Sequence, residues 1–413
     1  MSASGLIGCA KEEARSEQDI RDELNEKYVI TQEKAVDFVR RSVSSTGLAM
    51  RSITIGETFT ALGESGMPTI HVVNYESGSQ GGWIMVSGDQ RIMPLLAYGS
   101  DEPLSEEVVE QDGISDSYSA YGDVVEGMRM GVYDSSISPY DIEARPQPCE
   151  SDADNPSGGN CPPNPPPLRC GDRRGPVDET IGPLITTTWR QNCPYNDRLS
   201  HPMCRDECDS RRSLVGCGAV AFAQVVRFWE DAGGTMFDWP NIDDAYFGNV
   251  PASRTLAQQQ GNVADLMNMS VNRLRSAKSC NNTATLPINI LRGFRELEYI
   301  GSGREIDYNV GVIESEIREG RPVIMHGRRR IHANWHIWVI DGFRVRTNGW
   351  CMPQRWNRMN WGWGGRGNGM YLTTDFLPKE NNNGPAGVAN GDVLDTDRNY
   401  RKYQKIIVGI SPE

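Results

Sequence analysis

The chain has 413 residues and a mass of 45.9 kDa, enough for two or three domains with at least one large hydrophobic core. Hydrophobic residues make up 38% of the chain, and no apolar run approaches the roughly 18 residues of a membrane-spanning helix, so no spanning segment is predicted. Since 42 Lys and Arg stand against 55 Asp and Glu, the net charge of −13 argues against a general nucleic-acid-binding protein.

Residues 1–27 form an N-terminal tail that lacks the apolar run of a complete secretory signal. Within this tail, Leu6-Ile7-Gly8-Cys9 resembles a bacterial lipobox, in which Cys9 would carry a lipid anchor. The polar stretch from Lys11 to Lys27 would then be a solvated tether. In the alternative interpretation Cys9 is an incidental residue of a disordered tail, and the sequence leaves both open.

Residues 28–145 have the pattern of a small α+β domain. Thr31 is a suitable N-cap for a helix with one apolar face. Strand-like runs follow over 52–55 and 69–74, and 82–91 has the pattern of a strand, a turn at Gly88-Asp89 and a return, after which 92–98 continues apolar. This front part is acidic, because residues 1–145 hold 25 acidic and 11 basic side chains, whereas the remainder is almost neutral.

Residues 146–176 differ sharply in composition, with nine prolines and three cysteines. Proline removes backbone donors and favours extended geometry, so this segment is predicted to be an exposed linker. Exposed linkers are also where proteases cut most easily.

Residues 177–413 are predicted to contain helices first and strands afterwards, which is an α+β layout. Amphipathic helices are predicted over 217–230, 262–276, 287–297 and 312–319. Strands are predicted over 322–325 and 337–340, with further strands up to 408.

The ten cysteines include no C-x-x-C pair of the kind found in zinc ribbons and redox motifs. With five histidines in the chain, a zinc site has few other ligands, so disulfides in an oxidising compartment are expected instead. Setting Cys9 and Cys217 aside leaves eight cysteines, whose possible connectivities the sequence does not distinguish.

The segment Gly216-Cys217 opens a predicted helix that runs past Gln224. A thiol at a helix N-terminus faces unpaired backbone N–H groups and the positive end of the helix dipole, which favours the nucleophilic thiolate. Cys217 is therefore a candidate nucleophile, the alternative being a buried structural cysteine or a disulfide partner.

A cysteine nucleophile needs a base, and His336 stands at the head of a predicted strand. Asn360 follows 24 residues later and offers an amide oxygen to orient an imidazole. Gln191 offers an amide N–H that could, with the backbone N–H of Cys217, bind an oxyanion. The alternatives are a histidine at the rim of a cleft for His336 and an aromatic-glycine turn that only packs for the segment around Asn360.

The order of these motifs resembles the papain-type cysteine peptidases and, more narrowly, the streptopain family. The matching motifs are Trp189-x-Gln191, Pro194-Tyr-Asn196, Gly216-Cys217, Ala221-x-Ala223-Gln224, Phe237-Asp-Trp239, Gly320-Arg-Pro-Val323, His336-x-Trp-Val-Ile-Asp-Gly342 and Asn360-Trp-Gly-Trp-Gly-Gly365. The segment 82–98 is similar to the propeptide of the same family. The sequence departs from the family pattern in the residues after Cys217 and in 198–212 and 344–358, so substrate preference is not carried over.

The resemblance implies a papain-like α+β fold and a secreted or surface-anchored bacterial endopeptidase made as a zymogen. The resemblance also implies a role for each site residue. Cys217 would be the nucleophile and His336 its base. Asn360 would orient His336, Gln191 would donate to the oxyanion, and Trp361 would shield the His–Asn pair from water. Residues 28–145 would be an inhibitory propeptide, released from the catalytic domain 177–413 by cleavage in 146–176. The implied partners are peptide substrates and the chain's own propeptide, without metal or cofactor.

Two other functions share some of these features. An acyl transferase or amidase could use Cys217 and His336 with a different acceptor. A glycan-binding surface protein is the non-enzymatic alternative, because six of the ten tryptophans fall between Trp335 and Trp363.

Overall fold

The three-dimensional structure is a computed structural model. It describes residues 16–43, 53–78, 80–100, 102–110, 114–131, 178–205, 211–229, 256–281, 283–299, 303–328, 335–346, 354–373 and 404–412. The predicted linker 146–176 and the lipobox-like segment lie outside these residues.

The described residues form eight helices and eleven strands. The helices are α1 Glu17–Tyr28, α2 Gln32–Val43, α3 Glu106–Val109, α4 Ile114–Arg129, α5 Cys217–Trp229, α6 Leu256–Arg273, α7 Pro287–Arg295 and α8 Val310–Arg318. The strands are β1 Thr54–Leu62, β2 Pro68–Ser77, β3 Gln80–Ser87, β4 Leu95–Gly99, β5 Asp178–Ile181, β6 Arg304–Asp307, β7 Val323–Arg328, β8 Trp335–Arg346, β9 Gln354–Asn360, β10 Gly369–Leu372 and β11 Lys405–Val408.

Helix α1 occupies part of the stretch that would be a solvated tether if Cys9 carried a lipid, and the sequence analysis did not predict this helix. Ser16 and Asp19 form a capping box at the start of the helix. Near its end, buried Asn25 accepts a hydrogen bond from Arg91 at 2.7 Å and donates one to the carbonyl of Arg129 at 3.3 Å. The helix is held by polar contacts rather than by an apolar stripe, so hydrophobic periodicity does not reveal it.

The helix predicted after Thr31 is confirmed as α2, with the Thr31 hydroxyl accepting from the backbone N–H of Lys34 at 3.3 Å. Strands β1 and β2 extend beyond the predicted runs, β3 begins two residues before the predicted strand, and β4 occupies only the end of the apolar run 92–98; helix α4 was not predicted. The sequence of α4 is rich in Ser, Gly and Tyr, which gives it little helical propensity. It forms because Val125 and Met128 are buried in the core.

All eleven strands belong to one sheet, whose order is β1-β2-β3-β4-β10-β9-β8-β7-β11-β6, with β5 paired to β8. The front strands join the back strands at the antiparallel pair β4–β10, where Tyr98 is opposite Met370 and Ala97 is opposite Tyr371. The α+β class predicted from sequence is confirmed. The continuity of the sheet between the two parts was not predicted.

Two hydrophobic clusters sandwich the back part of this sheet. One cluster contains residues of α5, α6 and α7 together with Ile337 and Val339 of β8. The other contains residues of α4 and α8 together with Trp338 and Ile340 of the same strand. Alternate residues of β8 therefore point to opposite faces, and both faces are buried.

The close approach at the β4–β10 pair allows a test of how much this junction contributes to stability. A Cβ added at Gly99 would lie 2.6 Å from the carbonyl oxygen of Asn368 and 2.6 Å from the indole nitrogen of Trp83. We expect Gly99→Ala to lower the free energy of unfolding by about 2 kcal/mol, because the neighbours are backbone and a buried ring that cannot move aside.

The measurement is urea unfolding followed by tryptophan fluorescence. Gly122→Ala, in helix α4, is the matched control, since a Cβ there makes only an ordinary contact of 3.7 Å with Thr69. Equal stability of the two variants would contradict the close packing of the junction.

Candidate active site

Cys217 is the first residue of helix α5, as the sequence predicted. The preceding Gly216 has a φ of +88°, and a Cβ at that position would collide with the carbonyl of Thr283, so the sharp entry into the helix requires glycine. Cys217 is buried and takes part in no disulfide among the described residues. The structural alternative of a disulfide-bonded Cys217 is thereby excluded for this conformation.

His336 is the second residue of strand β8 and is enclosed by tryptophan rings. Trp363 stacks on the imidazole at 5.4 Å between centroids with an interplanar angle of 4°, and Trp338 does so at 5.5 Å and 17°. Trp361 lies 5.9 Å away in a tilted arrangement. The imidazole is buried, with 2% of its surface exposed, and its Nε2 has no hydrogen-bond partner within the described part of the chain.

Burial determines the protonation of this histidine. Desolvation lowers the pKa of His336 to about 3, while a hydrogen bond with the backbone of Trp361 acts weakly in the opposite direction. The charged form loses its hydration among the indole rings, and no carboxylate among the described residues contacts it to compensate. His336 is therefore a neutral imidazole at physiological pH in this conformation.

The elements carrying Cys217 and His336 face each other. A Cβ at Gly218, the residue after Cys217, would lie 3.1 Å from Ile337, the residue after His336. Both Cys217 and Ile337 belong to the same buried cluster on one side of the sheet. The start of α5 therefore packs on the start of β8, whereas the His336 side chain lies on the other face of this strand, against Trp338 and Trp361.

Asn360 ends strand β9, where it is opposite Val339 of β8. Its side chain is buried and makes two hydrogen bonds: Nδ2 donates to the carbonyl of Thr187 at 2.9 Å, and Oδ1 accepts from the backbone N–H of Gly362 at 3.3 Å. Neither bond reaches His336. The direct orienting contact expected from the sequence stays a prediction.

Gln191 is buried, and its backbone carbonyl accepts from the N–H of Val215 at 3.0 Å. This bond ties the Gln191 segment to the chain two residues before Cys217. The carbonyl of Trp189 accepts from the N–H of Gly364 at 3.1 Å, which ties the same segment to the loop after Asn360. The predicted oxyanion donor therefore lies on a segment bound to both neighbouring parts of the site.

Trp361 is buried beside His336 and is held at both ends. Its backbone N–H donates to Oδ1 of Asn368 at 3.0 Å, and its indole N–H donates to the carbonyl of Gly367 at 3.1 Å. Its ring also contacts Trp338 at 5.0 Å between centroids. This position suits the shielding role, which stays a prediction.

The tryptophan-rich segment packs inward. The side chains of Trp338, Trp356 and Trp361 are buried, and Trp363 is half-buried against His336. No open stacking platform for a sugar is formed by these four rings, so the glycan-binding alternative gains no support from them.

Two polar residues next to the site were given no role by the sequence. Thr187 accepts from Asn360 through its carbonyl and donates its hydroxyl to Oε1 of Gln224 at 3.1 Å. The sequence feature that could have pointed to this contact is Gln224, a polar residue among the otherwise apolar, buried positions of α5.

Among the described residues, the group of side chains with metal-ligand character is His201, Cys204 and Cys280. Cys204 and Cys280 are joined in a disulfide with a Cα–Cα distance of 5.0 Å, so their sulfurs are not thiolate ligands here. Cys193 is also disulfide-bonded. The expectation of disulfides is confirmed, and one of the many possible pairings is now defined.

Comparison with known proteins identifies both parts of the chain. Residues 189–371 match the model of the peptidase C10 family, and residues 27–125 match that of the Spi protease inhibitor. The chain carries a peptidase C10 domain behind a Spi inhibitor domain. The C10 domain contains Cys217, His336 and Asn360, and the resemblance to the streptopain family found in the sequence is confirmed.

A curated protein similar to this chain is the thiol protease/hemagglutinin PrtT of Porphyromonas gingivalis, which is 24% identical over 272 residues. The match covers 57% of this chain and 28% of the relative, so the chain spans under a third of that protein.

Among solved structures, a fragment of Prevotella intermedia prointerpain A superposes with a TM-score of 0.53 at 19% identity, covering 88% of this chain and all of that one. Active interpain A from the same organism gives a TM-score of 0.40 at 20% identity, covering 56% and 95% of the two chains. The prointerpain A match confirms the papain-like α+β fold preceded by a propeptide domain. No helix in the described ranges is long and apolar enough to cross a membrane.

The burial of His336 predicts how the stability of the intact chain depends on pH. An unfolded histidine has a pKa near 6.5, whereas folding lowers the pKa of His336 to about 3. The unfolded state therefore binds more protons between these values. The neutral imidazole's contribution to stability is complete above about pH 6.5 and is lost as the pH falls toward 3.

We expect His336→Gln to reduce the loss of unfolding free energy between pH 7.5 and pH 5, because glutamine does not titrate. The measurement is urea unfolding of the intact chain and of the variant at pH 7.5, 6 and 5. Parallel losses of stability in the two proteins would show that His336 is not a buried neutral group.

Proposed function

We propose that this protein is a cysteine endopeptidase made as a zymogen, with Cys217 as nucleophile and His336 as its base. The observation that carries the proposal is the position of Cys217 at the N-terminus of α5, where the next residue, Gly218, packs on Ile337, the residue after His336, within a peptidase C10 domain. The thiol protease name of the PrtT relative agrees with this chemistry.

In the proposed acylation step, the sulfur of Cys217 attacks the carbonyl carbon of a peptide bond. The carbonyl oxygen becomes an oxyanion, which accepts hydrogen bonds from the side-chain amide of Gln191 and the backbone N–H of Cys217. One such donor is typically worth about 10²–10³ in kcat. His336 takes the thiol proton and gives it to the leaving amine, so that the C–N bond breaks and a thioester remains.

In the deacylation step, a water molecule enters where the amine left. His336 accepts a proton from this water as its oxygen attacks the thioester carbonyl, and the same two donors hold the second oxyanion. The C–S bond then breaks, the peptide acid departs and the proton returns to the sulfur of Cys217. Asn360 and Trp361 would keep the imidazole in position and screened from water throughout.

The intact chain corresponds to a latent form in this proposal. An imidazole with a pKa of about 3 is too weak a base to take up a thiol proton. The inhibitor part, residues 28–145, contacts the loop between Asn360 and β10, which carries the tryptophans around this imidazole. Ile114 of α4 packs on Gly367, and a carboxylate oxygen of Glu102 lies 3.7 Å from Nε of Arg366. We infer that residues 28–145 inhibit the domain 177–413 until the linker 146–176 is cut.

A secreted or surface-anchored location belongs to the same proposal. The Cys204–Cys280 disulfide and the disulfide-bonded state of Cys193 suit an oxidising compartment. Anchoring through Cys9 would be a further feature of this location, and mass spectrometry of Cys9 from the native source would test it.

The nucleophile assignment is tested by replacing Cys217 with alanine. We expect Cys217→Ala to reduce peptide hydrolysis to the background rate, because the proposed thioester forms on the sulfur of Cys217, while the variant stays folded. The measurement is cleavage of a fluorogenic casein, together with labelling by an epoxide thiol-protease probe read by intact mass.

Cys9→Ala is the control, since it also removes one thiol but lies far from the site in sequence. Hydrolysis retained by a folded Cys217→Ala protein would overturn the assignment. Absence of labelling in the wild type after removal of the inhibitor part would do the same.

Strand β5 predicts where the mature domain begins. Asp178 accepts two hydrogen bonds from Arg344, at 3.0 and 2.8 Å, and Glu179 accepts two from Arg318, at 3.0 and 2.7 Å. Paired, bidentate contacts of this kind fix both the position and the direction of a short strand. We expect the stable catalytic product to begin at or before Asp178, as measured by intact mass after limited trypsin digestion of the Cys217→Ala chain.

The double change Asp178→Asn and Glu179→Gln should allow trimming into β5, because it removes both carboxylates from their arginines. Asp265→Asn, which removes one carboxylate from the exposed pair with Arg198, is the control and should leave the product unchanged. Products of the parent chain that begin beyond Ile181 would contradict the prediction.

A further inference from the structure

A chain of buried polar groups connects the nucleophile helix to Asn360 through Thr187. The Thr187 hydroxyl donates to Oε1 of Gln224 at 3.1 Å, and the Thr187 carbonyl accepts from Nδ2 of Asn360 at 2.9 Å. Thr187, Gln224 and Asn360 have exposed fractions of 2%, 0% and 1%. Hydrogen bonds in such a dry environment are directional and are not exchanged for bonds to water.

Burying the side chain of Gln224 in helix α5 has a free-energy cost. It lies seven residues, or about two turns, after Cys217 in a helix whose residues 217 to 226 are all buried. Its Nε2 has no hydrogen-bond partner in the part of the chain that the structure describes. An unsatisfied buried donor costs about 1–3 kcal/mol, and a methionine would fill the same volume without that cost. The oxygen of Gln224 therefore has a use that offsets the cost, and its observed contact is Thr187.

The backbone of the Thr187 segment is fixed from the other side by Asp341. The N–H of Leu184 donates to the Asp341 carbonyl at 2.8 Å, and the N–H of Ile185 donates to its Oδ2 at 3.3 Å. Asp341 itself is buried and receives two contacts of 2.8 Å from Arg358 of β9. Since Asp341 lies on β8 with His336, the carbonyl of Thr187 has a fixed position relative to both strands of the site.

Asn360 connects the Thr187 carbonyl to the backbone that contacts the imidazole of His336. Its Oδ1 accepts from the N–H of Gly362, so the amide spans the peptide groups on either side of Trp361. The imidazole of His336 forms a hydrogen bond with the backbone of Trp361. The order of contacts is thus Gln224, Thr187, Asn360, Trp361 and His336, and it starts on the helix that carries the nucleophile.

We propose that Thr187 is a positioning residue of this cysteine peptidase, whose hydroxyl, held by Gln224, sets the carbonyl that anchors Asn360 and thereby the orientation of His336 toward Cys217. The inference rests on the proposed function, since it assumes that Cys217 and His336 react together. It assigns to Thr187 and Gln224 a task that acts through Asn360 and involves no contact with substrate.

The test compares Thr187→Val, which keeps the shape and removes the hydroxyl, with Thr187→Ser, which keeps the hydroxyl. We expect Thr187→Val to lower kcat of the activated enzyme by about tenfold with KM changed less than twofold, because misorientation affects the reacting groups and not binding. Thr187→Ser should recover most of the lost kcat. The exposed Thr180 of β5, a few residues earlier in the chain, provides the matched control Thr180→Val, which should match the wild type.

A second readout does not require peptide hydrolysis. The rate of Cys217 alkylation by iodoacetamide, measured from pH 5 to 9, reports how well the imidazole assists the thiol. We expect Thr187→Val to shift the acidic limb of this profile, and Gln224→Met to shift it in the same way. The double variant should be no worse than either single one, because both changes break the same connection.

The inference is overturned if Thr187→Val lowers the melting temperature while kcat and the alkylation profile stay unchanged. It is also overturned if Thr187→Ser is as impaired as Thr187→Val, or if neither Thr187→Val nor Gln224→Met folds, since the pair would then serve stability alone. Absence of hydrolysis by the wild type, with the alkylation differences intact, would overturn the proposed peptidase function and leave the positioning role standing.

Discussion

The hydrogen-bonded pair of strands β4 and β10 is the constraint on which the rest of the structure depends. It joins four strands of the inhibitor part to the strands of the C10 domain in one antiparallel sheet. Strand β10 starts nine residues after Asn360, so the inhibitor part holds the end of the very loop that encloses the imidazole. This loop carries Trp361 and Trp363, whose rings pack against His336, so the strand pair holds one wall of the histidine's surroundings.

The aromatic packing around His336 links structure to reactivity through charge. Indole rings exclude water without offering a counter-ion, so they favour the neutral imidazole. The polar contacts of the site are concentrated in a second layer, where Thr187, Asn360 and Asp341 hold the backbone. The site therefore combines an apolar cage that sets the protonation of the base with a polar frame that sets its geometry.

The sequence predicted features that are encoded locally. Gly216-Cys217 marks a helix start because the sharp entry into α5 requires glycine. Pro287 marks the start of α7 because proline is tolerated at the first position of a helix. Both requirements are local. The pairing of Tyr98 with Met370 leaves no such trace, because it joins segments far apart in sequence. The anchoring of Asn360 was equally hidden, since its partner is the backbone carbonyl of Thr187, which every residue type possesses. Helix α1 was not predicted, because its buried contacts are polar and leave no hydrophobic periodicity in the sequence.

Because the two parts share one sheet, cleavage of the linker and release of the inhibitor part are separate events. A cut between Arg129 and Asp178 would change the covalent connection but leave the β4–β10 hydrogen bonds in place. Release would then be a bimolecular dissociation, whose extent rises as the protein is diluted. It would uncover two strand edges at once, one on each product, and bare edges readily pair with other strands. The same ladder that orders the intact chain would thus make rebinding and self-association concentration-dependent properties of its products.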